Sequence, residues 1–494
     1  MGWLFRNTLL ASPPLAPTRA ACKRNLAASG PRRPRVAKGP RAGLWPGMQQ
    51  RSFRITAPPE RFDRVEALLA AQGFACEPEP FLPAARRLTA EPFPLGSSLA
   101  AFFGLIYIQD RSSMLPPALL GAEGGAAGAT CLDMCASPGG KTGILAGLAG
   151  PEGFVLAAEA SRDRLATLRQ NLRRTAAANT ATLGAEAQHL ALAAGSFGRI
   201  QLDPPCSGWG TAEKNPKVLE LWTPEKARTL ARLQRELLRR AAELLAPGGL
   251  LLYSTCTTNV AENEEQAAWA LAELPLRLEP LPAPAGFTPA APALSGLDGV
   301  LRIGGQGRPG GDEAPGGEGQ GFFLARFRKD AAPGAPVTTG PQPGPRDPGG
   351  EPLAPRDLAR AREACGVDFS RLPPGELRAF GGKVYLLHDQ ALRLCREAGL
   401  GGMRWQGFLL GQMQGGLFVP AARARVLLPP AGDLPPSRRL DVEEPAPVLD
   451  LLAGRSVEIA GGKGREAGLA GLYFRGLPLG WLTRKGRRLL WSER

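Results

Sequence analysis

"ATCLDMCASPGGKT", Ala129 to Thr142, is the stretch whose reading decides the fold. An apolar run at 129–134 passes directly into a Pro-Gly-Gly turn, and a helix-forming stretch begins at once. Strand, glycine turn and helix open a βα unit: glycines let the backbone approach a ligand, and the helix N-terminus offers unpaired N–H groups to an anion. The turn is neither GxGxxG nor GxxxxGK, so neither a dinucleotide fingerprint nor a phosphate-binding P-loop is indicated.

Outward from this turn, apolar strands alternate with amphipathic helices. "FVLAAE" (154–159), "RIQLD" (199–203) and "GLLLYSTC" (249–256) read as further parallel core strands. Between the last two, Thr223 is placed as an N-cap followed by Pro224. Leu230, Leu233, Leu237, Ala241 and Leu244 then form one face of a crossover helix, which Pro247-Gly248-Gly249 should end. The pattern predicts an α/β, Rossmann-like doubly wound domain over 113–329. Glu159 closes the second strand where such folds place an acid for ribose hydroxyls. A glycine loop, a strand-end acid and an Asp-Pro-Pro turn in this order suit a nucleoside cofactor without a pyrophosphate, which points to S-adenosylmethionine.

The turn after the third strand reads Asp203-Pro204-Pro205-Cys206. Enzymes that methylate base amino groups carry an aromatic after the second proline, to stack on the base. Here the residue is a cysteine, and Cys256 ends the next core strand. Ligands of open α/β sheets bind at strand carboxyl ends, so both thiols and Asp203 should share one crevice. Carbon 5 of a pyrimidine is a poor nucleophile until a thiolate has added to carbon 6, so paired thiols point to carbon methylation. Lys141, at the loop, would lower the pKa of a thiol nearby. Gln109 and Asp110 are weaker candidates for shaping the pocket.

"LDMCASPGGKT", "LDPPCSGWG" and "LLYSTCT" resemble three motifs of the NOL1/NOP2/Sun family of RNA 5-methylcytosine methyltransferases. "YIQDRSSMLPP" and "APGG" flank them as in that family. The resemblance covers 48–329 closely and 356–494 more loosely; 1–47 matches nothing in it. It implies that Cys256 is the nucleophile, that Cys206 lets the methylated base leave, and that Asp203 hydrogen-bonds the cytosine edge. It further implies that Cys135, Ala136, Ser137, Pro138, Gly139, Gly140 and Lys141 wrap the methionine part of the cofactor and that Glu159 holds the ribose. Following the chain from Glu159 through Arg164, it places Glu186 where the family's third acid, usually Asp, lies near the adenine. The loop departs from the family's Ala-Ala-Pro-Gly by having Ser137, a change that should be tolerated.

Composition limits the alternatives. A 494-residue chain that is 44% hydrophobic and 21% charged is long enough for several packed domains. No apolar run approaches a membrane span. Of the net charge of +15, residues 1–59 supply +11 and leave +4 for the rest, so the body is only mildly basic. The eight cysteines include no CxxC pair, and His189 and His388 are the only histidines, so neither zinc site nor disulfide framework is expected and a reducing cytoplasm fits. Residues 1–47 read as a basic Pro/Arg-rich tail, either disordered or a start-assignment artefact. A small N-terminal α/β RNA-binding module is expected at 48–112 and a Pro/Gly linker at 330–355. A basic C-terminal α+β, β-barrel-like (PUA-like) RNA-binding region should occupy 356–494, acting in a monomer. A base inside a duplex hides carbon 6, so the target must be unstacked. Small-subunit 16S ribosomal RNA, or the 30S particle, is the first expectation for partner. Transfer RNA is the alternative substrate, and a non-catalytic ribosome-assembly factor on the same scaffold is the alternative class.

Overall fold

A computed structural model describes residues 51–121, 126–212, 215–304, 321–330, 347–459 and 467–492. The basic stretch 1–47 and most of the Pro/Gly run, 331–346, lie outside the described residues.

The centre is a sheet of five parallel strands, in spatial order Thr180–Gly184, Phe154–Glu159, Thr130–Asp133, Phe197–Leu202 and Leu245–Thr255. Thr130–Asp133 and Phe154–Glu159 are buried along their whole length, as sheets covered by helices on both faces require. Strand order reverses direction between Thr130–Asp133 and Phe197–Leu202, and Asp133 and Asp203 therefore end on either side of the switch point where such sheets bind ligands. Thr180–Gly184 was not anticipated: TATLG carries one large apolar residue and reads as loop until its neighbours bury it. Phe322–Lys329 extends the sheet antiparallel to Leu245–Thr255.

The crossover helix runs Pro224–Leu244, with the Thr223 side chain accepting from the Lys226 N–H. It stops before the Pro-Gly-Gly, which instead lies inside the long strand Leu245–Thr255, next to a register irregularity at Phe197/Arg199.

The N-terminal module is a four-stranded antiparallel sheet, ordered Ala75–Pro78, Ala85–Ala90, Ser52–Ile55, Ile106–Ile108. Helix Phe62–Ala70 buries Val65, Leu68 and Leu69 against it. The C-terminal region forms two five-stranded sheets, with helices Pro355–Cys365 and Asp389–Glu397. Strand Glu351–Pro352 pairs with Gly375–Phe380, so a strand begins inside the stretch read as linker.

These regions share cores. Ala391, Leu394, Cys395, Ala398 and Leu400 belong to the same apolar cluster as Leu132, Leu156 and Leu183 of the parallel sheet. Val448, Leu472 and Leu482 pack in one cluster with Phe53, Val65 and Phe103 of the N-terminal module. Trp405–Gln406 pairs antiparallel with Leu183 and Thr182, adding an edge strand to the central sheet.

Candidate active site

The two cysteine-bearing turns meet. Cys206 Sγ and Cys256 Sγ lie 3.2 Å apart, both half-buried. Asp203 is fixed at both oxygens: Lys141 Nζ donates to Oδ2 at 2.7 Å and Ser254 Oγ donates to Oδ1 at 2.9 Å. Both side chains are largely buried, so the desolvation of the two charges offsets much of their attraction and the main consequence of the ion pair is geometric. The ammonium also stands 5.3 Å from the Phe322 ring centre.

The thiols are electrostatically unequal. The hydrogen bond from Cys206 is the largest influence on Cys256 and favours its thiolate; burial and the Asp203 charge oppose this, Lys141 assists, and the net result lies below the ordinary thiol value. Cys206 is pushed well up, first by the same hydrogen bond and then by burial. Burial disfavours the Lys141 cation, but Asp203 outweighs it and holds the ammonium above the usual lysine value. Either sulfur can donate the hydrogen bond between them; with Cys206 as donor, it favours ionisation of Cys256.

Both turns are pinned from behind by Glu262, which is fully buried. Its carboxylate accepts from Ser207 N (3.0 Å), Ser207 Oγ (2.6 Å), Gln234 Nε2 (3.0 Å) and Asn259 Nδ2 (2.9 Å). Ser207 Oγ also contacts Thr257 Oγ1 at 2.7 Å, and Gly210 N donates to Cys256 O at 3.1 Å.

Beside the thiols is a cavity of about 220 Å³, lined by Tyr107, Gln109, Asp133, Cys135–Pro138, Gly140, Lys141 and Asp203. The chain turns into helix Gly140–Ala149 through Gly139, whose φ of +103° disfavours any side chain and where a Cβ would stand 3.0 Å from Leu168 Cδ1. The loop is held from outside by Asn171 Nδ2 donating to Pro138 O (2.8 Å) and by Arg164 Nη2 donating to Ser137 O (3.0 Å). Glu159 is buried, accepts from Ser161 N at 2.9 Å, and lies 3.4 Å from Arg164 Nη2.

Two polar groups lining this cavity lack partners. Asp133 Oδ1 is buried without a hydrogen bond, while its Oδ2 accepts from Thr142 Oγ1 at 2.7 Å; burial pushes the carboxyl up to about 6. Both amide atoms of Gln109 are likewise buried and unpartnered, and a Cβ on Gly140 would come within 2.7 Å of Gln109 Oε1. An orphaned carboxylate, an orphaned amide and a helix N-terminus around a glycine-lined hollow fit a zwitterionic amino-acid end such as that of S-adenosylmethionine.

The structure brings together Cys206, Cys256, Asp203, Lys141 and the loop Cys135–Gly140. It brings none of Glu159, Arg164 and Glu186 among the residues lining this cavity; Glu159 and Arg164 lie behind the loop, and the exposed Glu186 side chain accepts from Gln188 Nε2 at 3.3 Å and faces His189. Sequence reasoning missed Asp133, Tyr107, Ser254 and Glu262. Asp133 had a usable signal, since it ends its strand as Glu159 does. Glu262 had none: a loop carboxylate gives no local sign that it will be buried. Among the described residues there is no cluster of three or more His, Cys, Asp or Glu that could hold a metal, and no helix is long and apolar enough to cross a membrane.

Comparison with known proteins now adds to this geometry. Residues 125–288 match the family described as 16S rRNA methyltransferase RsmB/F. The chain is 34% identical over 379 residues to ribosomal RNA small subunit methyltransferase F of Citrobacter koseri, covering 72% of this chain and 75% of that protein. It is 34% identical over 349 residues to the protein of the same name from Escherichia coli O127:H6, covering 70% and 67%. With the Cronobacter sakazakii relative it is 37% identical over 287 residues, and there the match spans 57% of this chain and only 58% of the relative. Among solved structures, a methyltransferase homologue from Pyrococcus horikoshii is 31% identical, with a TM-score of 0.48, over 57% of this chain and 87% of that one.

Proposed function

The chain belongs to the ribosomal RNA small subunit methyltransferase F family, and from that premise we propose that it methylates carbon 5 of a cytosine in 16S ribosomal RNA through a covalent adduct with Cys256. The observation that carries this reading is the pair of thiols 3.2 Å apart beside an Asp203 carboxylate gripped from both sides. A nitrogen-directed enzyme has no use for two thiols there.

Cys256 adds as thiolate to carbon 6 of the target ring while the Asp203 carboxylate accepts from the amino group of the base and orients it, and the Lys141 ammonium beside Asp203 offsets the negative charge that develops on the ring. S-adenosylmethionine supplies the methyl group that the activated carbon 5 takes up. Cys206, which gives up its own proton to solvent water once Cys256 no longer carries charge, then takes the carbon 5 proton; the electron pair of that C–H bond re-forms the double bond as the carbon–sulfur bond to Cys256 breaks and Cys256 leaves as thiolate. The residues suited to hold the cofactor are the loop Cys135–Lys141, Asp133, Gln109 and Glu159. The place of Cys256 in LLYSTCT, as the resemblance has it, favours this assignment over one in which Cys206, on the Asp-Pro-Pro turn, is the nucleophile.

Purified protein should transfer labelled methyl groups to 16S ribosomal RNA or to 30S subunits that lack the modification, and bisulfite sequencing should place the label at cytosine. Cys256→Ala should abolish transfer. Cys206→Ala should accumulate an RNA–protein species on denaturing gels that a second Cys256→Ala change removes. Trapping that survives the double change would reverse the two roles. Transfer to tRNA alone would move the substrate class, and no transfer to any RNA would favour an assembly factor.

A further inference from the structure

A second cavity, of about 340 Å³, lies away from the thiols, between helix Arg162–Arg174, strand Thr180–Gly184 and the C-terminal segment Gln406–Leu409. Arg169 and Arg173, one turn apart on the same helix face, both line it, with Gln170, Thr180, Thr182 and Gln406. No carboxylate lines it. Two exposed arginines elsewhere sit against acids, Arg455 with Asp450 and Arg277 with Asp330.

Arg169 has a hydrogen bond from Nε to Thr182 Oγ1 at 2.8 Å, which fixes the guanidinium without neutralising it. Burial presses against its charge, and the titratable neighbour acting on it is the Tyr385 phenol. Tyr385 stands opposite Leu409 in the adjoining sheet and is influenced by both arginines. Arg173 lies in the last turn of its helix, where the helix dipole alone would favour a cation. That account does not extend to Arg169, half-buried in a cavity with no countercharge.

Resting on the reading of RNA as substrate, we propose that this cavity binds a backbone phosphate of the RNA, with Arg169 and Arg173 as its ligands. A fixed guanidinium fork that keeps its outer N–H groups free matches phosphate oxygens, and the amides and hydroxyls around it suit a ribose. RNA is favoured over a small metabolite because the wall is built jointly by the edge of the methyltransferase sheet and the C-terminal region. A strand engaged here would be held by both at once and steadied outside the target nucleotide.

The test uses the full chain and a full-length 16S ribosomal RNA transcript, with binding measured across a salt series. Arg169→Ala/Arg173→Ala should weaken binding about tenfold near physiological salt and flatten the slope of log affinity against log salt by about one to two, the loss of one or two counterion-releasing contacts. Affinity for S-adenosylhomocysteine and the thermal midpoint should stay as in the parent. Unchanged RNA affinity and slope in the double variant would overturn the proposal. So would saturable, arginine-dependent binding of a mononucleotide with RNA binding unaffected, since the cavity would then be a small-ligand site. If the parent itself fails to bind the transcript above its affinity for heparin, the RNA reading falls first, and the proposal with it.

Discussion

Asp133 shows how the site sets function against stability at a single residue. Its carboxyl is buried in the native state and pushed from 3.8 to about 6, chiefly by burial, with the Thr142 hydrogen bond and the Lys141 charge opposing and Asp203 assisting. A raised folded-state pKa means the native protein holds this proton to higher pH than the unfolded chain does. The associated stability is therefore complete below pH 4 and is lost as pH rises through 6; a shift of that size corresponds to about 3 kcal/mol. Asp133→Asn keeps an acceptor for Thr142 and never has to ionise. It should match the parent at pH 4 and exceed it by up to about 3 kcal/mol at pH 8 in urea denaturation, while binding S-adenosylhomocysteine more weakly. A variant less stable than the parent at pH 8 would contradict this account. Cys206, Cys256, Asp203 and Lys141 were legible in the sequence because each sits in or beside a short turn whose neighbours announce it. Asp133 carries one local sign, a strand-end position like that of Glu159, but nothing in the sequence reveals that one of its oxygens is left without a partner.

At the scale of elements, the thiol pair depends on two turns that follow different strands, and the element joining them is the segment that carries Glu262. Four donors converge on one fully buried carboxylate, so replacing it with an amide turns an acceptor end into a donor facing donors. Glu262→Gln should cost about 3 kcal/mol or more. It should also displace Ser207, and Cys206 with it, relative to Cys256. A misplacement of about 1 Å at reacting groups lowers turnover roughly a hundredfold. Methyl transfer should fall by that order, while affinity for S-adenosylhomocysteine, whose proposed cavity is lined by other residues, stays within about twofold of the parent. Loss of affinity and turnover together, or neither, would show that Glu262 does not act through the thiol pair. The parallel strands were legible where they are continuously apolar, as in FVLAAE, and illegible at TATLG, whose strand state comes from pairing with Phe154–Glu159 on one side and Trp405–Gln406 on the other.

Over the whole molecule, the sequence suggested beads joined by a linker, because composition changes sharply at the Pro/Gly run. What composition cannot convey is where the apolar faces of the later elements go. Helix Asp389–Glu397 lays Ala391, Leu394 and Cys395 into the core of the parallel sheet, and the His388 ring stacks on Phe154 with centroids 5.4 Å apart. Arg393 Nη2 donates to Thr130 Oγ1 at 2.9 Å, at the start of the first core strand. Arg425, buried, donates to the carbonyls of Phe103 (2.7 Å), Gly104 (2.9 Å), Arg174 (2.7 Å) and Thr175 (3.0 Å), so one guanidinium ties the C-terminal region to both others. Those carbonyls include the end of helix Arg162–Arg174, where a cation is favoured, and without Arg425 each loses a partner at about 1–3 kcal/mol if left unsatisfied. A chain ending at Lys329 removes this plug and uncovers the face under helix Asp389–Glu397. Independent modules would leave such a fragment monomeric, with a sharp thermal transition and the parent's affinity for S-adenosylhomocysteine. The shared cores predict otherwise: the fragment should aggregate or unfold broadly, and Arg425→Met in the full chain should lower the thermal midpoint by several degrees. Size-exclusion chromatography and calorimetry of the fragment decide between the two, and a well-folded, cofactor-binding fragment would show that the C-terminal region merely docks.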